Sequence, residues 1–171
     1  TMTVIAKPQD VFSRLNDLNI PHKTYDHDPI FTVEDGLHLH EIIPGGHCKN
    51  LFLKDKKGTY WLISAIETTQ INLKVVRKLL SCPQLSFASP ERLWDVLKVK
   101  PGSVTPFALM NDTECVVNVI LDKTLFDYEE INFHPLQNIQ STKLKPSDLV
   151  RYIEDCGHTP KILDLSGLSY D

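Results

Sequence analysis

The stretch Gly45-Gly46-His47-Cys48-Lys49-Asn50-Leu51-Phe52-Leu53-Lys54-Asp55-Lys56-Lys57-Gly58 decides how this chain is read. A glycine pair runs into an apolar segment, a charged glycine-terminated turn follows, and a second apolar run, Thr59-Tyr60-Trp61-Leu62-Ile63, begins at once. Two such runs joined by Asp-Lys-Lys-Gly predict a β-hairpin with a short loop. Lys54, Lys56 and Lys57 fall where a solvated turn would place them. Lys49 does not: it stands at the mouth of the strand with Asn50 beside it. A lysine there, next to the close backbone approach that glycines permit, can anchor an anionic or ester-bearing ligand, or can simply snorkel over the strand edge. Neighbouring strand residues point to opposite faces, so Cys48 and Lys49 are not expected to share a pocket.

Two further segments bear on that choice. In Pro101-Gly102-Ser103-Val104-Thr105-Pro106-Phe107-Ala108-Leu109, prolines bracket a loop that is expected to enter a strand, leaving N–H groups available to a ligand oxygen. Asn132-Phe133-His134-Pro135-Leu136 places a histidine before a proline, which favours extended backbone.

Outside these segments the sequence predicts a compact α/β domain. Residues 8–19 read as a helix with Val11, Phe12, Leu15 and Leu18 on one face, followed by a short strand at 22–25. Thr32 and Asp35 have the spacing of an N-terminal cap for a helix through Leu37, Leu39 and Ile42. His38 and His40 on that helix lie on different faces and read as surface residues. Helices are expected at 72–80, from Ser89-Pro90 onward with Leu93, Val96 and Leu97 inward, and at 146–156 before Gly157. Strands are expected at 115–121, central and apolar, and at 161–165. No linker, repeat, phosphate-binding glycine loop or low-complexity tract divides residues 1–171, which read as one domain.

The composition, 42% hydrophobic and 23% charged over 171 residues, is that of an ordinary globule burying roughly two-thirds of its unfolded surface. No apolar run approaches the ~18 residues of a membrane span. The start, Thr1-Met2-Thr3-Val4, has no signal-peptide pattern, and Thr1 ahead of Met2 reads as an expression remnant. Cys48, Cys82, Cys115 and Cys156 are scattered, which suggests free thiols in a reducing cytoplasm rather than disulfides or a zinc site. The seven histidines form no ligand pattern, so neither metal nor cofactor is expected. A net charge of −4 argues against a broad nucleic-acid footprint. Any such binding must rely on a local cluster: Lys54, Lys56 and Lys57, with Lys74, Arg77 and Lys78 on the next helix.

Taken together and in this order, residues 46–58, Leu85-Ser86-Phe87-Ala88-Ser89, 101–109 and 132–138 resemble the aminoacyl-tRNA deacylases of the YbaK and prolyl-tRNA editing type. Nearest in character are the free-standing members that hydrolyse Ala-tRNA(Pro). The resemblance covers nearly the whole chain and implies a mixed, mainly antiparallel central sheet flanked by helices. It implies that Lys49, in the Lys-Asn-Leu-Phe-Leu strand, is the residue most closely tied to activity, with Asn50 beside it in substrate binding. It further implies that Gly102, Ser103, Val104, Thr105 and Pro106 line the aminoacyl pocket and that His134 belongs to it. The implied partners are the acceptor end of tRNA, for which the local charge cluster offers Lys54, Lys56, Lys57 and Arg77, and a prolyl-tRNA synthetase; no membrane is expected to be involved. Two positions depart from relatives: Cys48 stands where threonine is common, and Gln84 where a basic residue is frequent, which weakens that spot as a grip on the tRNA backbone.

The expected chemistry is water attack on an already activated ester. Lys49 would orient the ester or its ribose, N–H groups of residues 102–105 would cradle the carbonyl oxygen, and the ribose hydroxyl would relay a proton. No serine or cysteine stands in a nucleophile setting. Val104, Thr105, Pro106 and Phe107 are the expected walls of a small pocket. A deacylase for cysteinyl- or seryl-tRNA, or a non-catalytic module that binds aminoacyl-tRNA or a synthetase, would use the same features.

Overall fold

A computed structural model of the chain describes residues 5–29 and 33–165. In chain order these form helix α1 (Pro8–Asp17), strand β1 (Lys23–Asp26), helix α2 (Val33–Ile42), strands β2 (Gly46–Asp55) and β3 (Tyr60–Ile66) and helix α3 (Leu73–Leu80). Strand β4 (Leu85–Phe87), helix α4 (Pro90–Leu97), a 3-10 helix (Pro106–Asn111), strand β5 (Val117–Asp122) and a second 3-10 helix (Lys123–Asp127) come next. Strands β6 (Ile131–Phe133) and β7 (Gln140–Leu144), helix α5 (Pro146–Asp155) and strand β8 (Lys161–Leu163) complete it.

The hairpin forms as its sequence predicts. β2 and β3 pair antiparallel, with Leu53 opposite Trp61 and Cys48 opposite Ile66. Asp55 closes the turn: its carboxylate accepts the N–H groups of Lys57 (2.9 Å) and Thr59 (3.0 Å), and its carbonyl accepts that of Gly58 (3.1 Å). Gly58 has φ +85°, a conformation that a side chain would strain. A buried carboxylate is tolerated here because these donors replace its water.

The eight strands make one mixed sheet in the order β1-β7-β6-β2-β3-β5-β8, with β4 also on β2. β1·β7, β6·β7, β2·β3 and β2·β4 are antiparallel, and β2·β6, β3·β5 and β5·β8 parallel. Both faces are covered, which is why β3 is buried from Trp61 to Ile66. Phe52, Leu62, Ile66, Val117 and Val119 join one apolar cluster with α1, α4 and α5, while Leu53, Trp61, Ile63 and Ile120 join another with α3. Side chains of one strand thus divide between two cores, as a two-residue period requires.

One feature of β2 positions the site. β6 pairs with it only at Gly46 and His47, and β4 only at Leu53, Lys54 and Asp55. Over residues 48–51 that edge of β2 faces a gap, and among the described residues no strand pairs with it there. The His47 carbonyl accepts Glu67 N–H on the β3 side, whereas the Phe52 carbonyl accepts Ala88 N–H on the opposite side. In this phase the backbone groups of Cys48 and Asn50 point into the gap.

Some expectations are corrected. Residues 101–109 do not enter a strand. Pro106 opens a 3-10 helix, because Thr105 Oγ1 accepts Phe107 N–H and the Thr105 carbonyl accepts Ala108 N–H. The central strand begins at Val117 rather than at Cys115. Cys115 is in a left-handed turn at φ +55°, whose following N–H groups, Val116 and Val117, bind the Asp112 carboxylate. In α2, Leu39 is buried but Leu37 and Ile42 are exposed, and so is His38. Thr32 and the His40 side chain lie outside the described residues. The four cysteines are free thiols. No helix among the described residues is long and apolar enough to cross a membrane.

Candidate functional site

Where β2 runs unpaired, a cavity of about 160 Å³ opens, lined by Leu39, His47, Cys48, Asn50, Glu67, Asn132, Phe133, His134 and Ser141. Cys48 and Asn50 reach it together because they are two residues apart on one strand. Asn50 Oδ1 accepts the Ser64 hydroxyl at 2.6 Å, which leaves its Nδ2 as the end able to serve a ligand. Asn132 enters from β6. Its Nδ2 donates to the Pro44 and Gly46 carbonyls, both at 3.0 Å, and so the loop before β2 is tied to β6.

His134 follows β6. Its Nδ1 is 2.9 Å from the Gln140 carbonyl, and since a carbonyl only accepts, Nδ1 carries the hydrogen and Nε2 the lone pair. Burial lowers its pKa from the ordinary 6.5, the Gln140 carbonyl opposes this, and the nearby His27 lowers it further. The ring is therefore a neutral acceptor at pH 7. His27, whose ring centroid is 6.0 Å from that of His134, is itself held by Ser141 Oγ at 2.9 Å and the Asp28 carbonyl at 2.8 Å.

The Cys48 thiol lines the cavity and is kept in its protonated form. Burial pushes it far above the usual thiol range, an Asn132 backbone hydrogen bond offsets little of this, and the Glu67 charge adds to it.

Lys49 is placed differently. Its side chain leaves β2 on the opposite face, and Nζ donates to the Thr69 carbonyl. Thr69 in turn contacts Thr124, whose N–H is held by Asp122. Lys49 does not line the cavity that Asn50 and His134 share.

Nor do Gly102, Ser103, Val104, Thr105 or Pro106. Lys100 to Ser103 is a turn in which the Lys100 carbonyl accepts Ser103 N–H, with Gly102 at φ +92°. The Ser103 backbone N–H is thereby removed as a donor to a ligand. Thr105 is fully buried and caps the 3-10 helix, and Phe107 packs edge-on against Phe133 and Tyr152 in the core. The loop approaches the site indirectly: a Cβ added at Gly102 would lie 3.6 Å from Asn138 Nδ2, in the turn between His134 and β7.

Lys56, Lys57 and Arg77 are exposed and Lys54 half-buried. The hairpin turn is seven residues beyond Lys49 along β2, or about 23 Å at ~3.3 Å per residue. The basic cluster and the cavity thus occupy opposite ends of one strand. Beside the cavity, and sharing Leu39 with it, is an open cleft of about 660 Å³ lined by Asp26, Asp28, Glu34 and Asp35 together with His27 and His38. No group of three or more possible metal ligands occurs among the described residues.

Glu67, Asn132, His47 and Ser141 were not anticipated. Only Cys48 had a usable signal, the alternation that puts it with Asn50. Glu67 reaches the cavity because its N–H pairs with the His47 carbonyl across the sheet, a contact that sequence spacing does not display.

The model of the aminoacyl-tRNA editing domain matches residues 27–152. The chain is 34% identical over 158 residues to the prolyl-tRNA editing protein ProX of Acetoanaerobium sticklandii, covering 92% of this chain and 96% of the relative. It is 36% identical over 156 residues to the prolyl-tRNA synthetase associated domain-containing protein 1 of Bos taurus, covering 88% and 91%. The fold matches the crystal structure of the hypothetical protein APE2540 at TM-score 0.73 and 15% identity, over 91% of this chain and 97% of that one. It also matches a structure described as a proposed trans-editing enzyme for prolyl tRNA synthetase at TM-score 0.69 and 17% identity, over 92% and 95%. The chain belongs to the aminoacyl-tRNA editing domain family, enzymes that hydrolyse the ester joining an amino acid to tRNA.

Proposed function

We propose that this protein removes alanine from mischarged Ala-tRNA(Pro), acting in trans on the acceptor end, by attack of water on the aminoacyl ester. The observation that carries the reading is the cavity beside the open edge of β2. At about 160 Å³ it is a small space, which favours a short aminoacyl side chain. The names of the relatives favour the prolyl system and an association with prolyl-tRNA synthetase.

Such an enzyme answers a difficulty of recognition. A site shaped for proline rejects alanine weakly, because missing methylenes are worth only ~1–3 kcal/mol each. A second, smaller pocket removes the error by excluding proline's additional ring carbons.

In the proposed reaction, Asn50 Nδ2 and the Asn50 N–H at the open edge hold the ester carbonyl as it becomes an oxyanion. His134 Nε2 takes a proton from the attacking water, directly or through the ribose hydroxyl, and that proton passes to the departing ribose oxygen as the ester C–O bond breaks, releasing alanine and the tRNA 3′ end. The raised thiol of Cys48 argues against a covalent intermediate. Lys49 anchors the terminal ribose or its phosphate by swinging its flexible stem from the Thr69 carbonyl around the unpaired strand edge. Gly102 and Val104 form the outer rim beside the Asn138 turn, with Ser103, Thr105 and Pro106 supporting it. Lys54, Lys56, Lys57 and Arg77 touch the acceptor stem.

Variants Lys49→Ala and Asn50→Ala test the assignment by alanine release under single-turnover conditions. Each is expected to lose about 10²-fold or more in rate while keeping the wild-type melting temperature within a few degrees. A folded Lys49→Ala or Asn50→Ala protein with full activity would remove that residue from the mechanism.

A further inference from the structure

Strand β4 borders the gap beside residues 48–51 of β2, and it brings an aromatic ring there that the cavity does not use. Phe87, the last residue of β4, lies opposite Leu53, and the next N–H, that of Ala88, donates to the Phe52 carbonyl and fixes the backbone. Residues opposite each other on paired strands share a face, as do residues two apart on one strand, so Phe87 projects to the face of Leu53, Leu51 and Lys49. Leu53 and Leu85 are buried there together with Val76 of α3. Phe87 is not: it is 65% exposed, and no other large apolar side chain among the described residues is more so. A single exposed ring is ordinary on a protein surface, so its surroundings must say whether it has a use.

Those surroundings are basic. Between Glu67 and Glu91 the chain carries no acidic residue, and Lys74, Arg77 and Lys78 are exposed on α3, which packs on the same face and leads directly into β4. Asp55, the carboxylate of β2 on this face, is buried and committed to the N–H groups of the hairpin turn. Lys49 stands four residues from Leu53, about 13 Å along the strand, at the other end of the gap. In a molecule of net charge −4, an exposed ring amid cations and next to an unpaired strand edge is a local exception. Single-stranded nucleic acid uses this combination: its phosphates follow the cations and an unpaired base lies against the ring.

We propose that Phe87 is a stacking platform for an unpaired base just upstream of the terminal ribose. Resting on the deacylase reading above, the platform gives the 3′ end its route to the cavity: phosphates past α3, a base on Phe87, the terminal ribose at Lys49. Every base has a π-face, so the ring holds the strand in register without reading its sequence.

The test compares wild type, Phe87→Leu and Phe87→Tyr on two esters: Ala-tRNA(Pro), which carries the upstream bases, and 2′(3′)-O-alanyladenosine, which lacks them. Loss of a base–aromatic stack translates into roughly 5- to 150-fold. Phe87→Leu should raise KM for Ala-tRNA(Pro) by a factor in that range and leave cleavage of alanyladenosine as it was, while Phe87→Tyr behaves as wild type. Equal losses on both esters, no loss on either, or a Phe87→Tyr protein as weak as Phe87→Leu overturns the proposal. Calorimetry with an acceptor hairpin ending in 3′-alanylamido-3′-deoxyadenosine separates the platform from the hydrolysis. Replacing one of the two bases before the terminal adenosine with an abasic ribose should weaken binding to wild type by the same factor, and should cost Phe87→Leu nothing further. If no ester is cleaved but this coupling is found, the platform stands and the deacylase reading falls. If the abasic losses are the same in both proteins, the platform falls. A Phe87→Leu protein that loses self-association or binding to prolyl-tRNA synthetase, with unchanged kinetics on Ala-tRNA(Pro), would make the ring a protein contact and overturn the proposal.

Discussion

At the scale of the residue, His134 makes the clearest prediction. Its Nδ1 is held by the Gln140 carbonyl, and burial keeps it neutral, so Nε2 is ready to accept a proton. If it is the base, the rate is flat around pH 7 and falls as pH drops through its lowered pKa, below 6.5. His134→Gln, which can still donate to the Gln140 carbonyl, should lose about 10²-fold or more and abolish the acid limb. An unchanged acid limb in that variant would assign the titration elsewhere. Stability follows the same sign. The folded histidine binds fewer protons than the unfolded one, so its contribution weakens as pH falls from 6.5 toward the folded value. His134 and Asn50 were legible in the sequence as parts of marked segments, and the structure brings them to one cavity. Glu67 was not, since it arrives through strand pairing with a distant part of the chain and stands in no distinctive local pattern; Asn132 opens the marked 132–136 segment, but its place in the cavity follows only from the pairing of β6 with β2.

At the scale of the element, the β2–β3 hairpin carries the site, and Asp55 sets its turn. Asp55→Ala removes the acceptor for Lys57 and Thr59 N–H groups in a buried setting. The expected cost is about 2 kcal/mol, a fall of roughly 4–8 °C in thermal midpoint by scanning calorimetry. A variant melting with the wild type would show that the strands alone fix the register. The hairpin was readable because its two apolar runs, its Asp-Lys-Lys-Gly turn and its length all agree. The segment at 101–109 misled for a physical reason: its apolar residues after Pro106 suggest a strand, but the Thr105 hydroxyl starts a 3-10 helix instead. Lys49 was marked by its position on β2, yet the strand's alternation sends it to the face away from Asn50. The gap between β6 and β4 along β2 appears only once the sheet order is known.

At the scale of the molecule, a mixed sheet covered on both faces separates an acidic cleft next to the cavity from a basic hairpin tip at the far end of β2. With a net charge of −4, the protein has little general attraction for nucleic acid. Under the proposed function, the lysines at the tip supply most of the phosphate contact. Replacing Lys56 and Lys57 together with alanine should raise KM for aminoacyl-tRNA several-fold at low salt and lower the slope of log affinity against log salt by about 1–2, with little change in the single-turnover rate. An unaltered salt slope would place the phosphate contacts elsewhere. The whole account turns on a cavity that admits alanine and refuses proline. The direct measurement is the ratio of initial deacylation rates for Ala-tRNA(Pro) and Pro-tRNA(Pro), taken with the same tRNA and enzyme. Loss of alanine at least about 25-fold faster than loss of proline, the least that two methylenes at ~1 kcal/mol each are worth, is the predicted result. Equal rates, or no release from either ester, would contradict it.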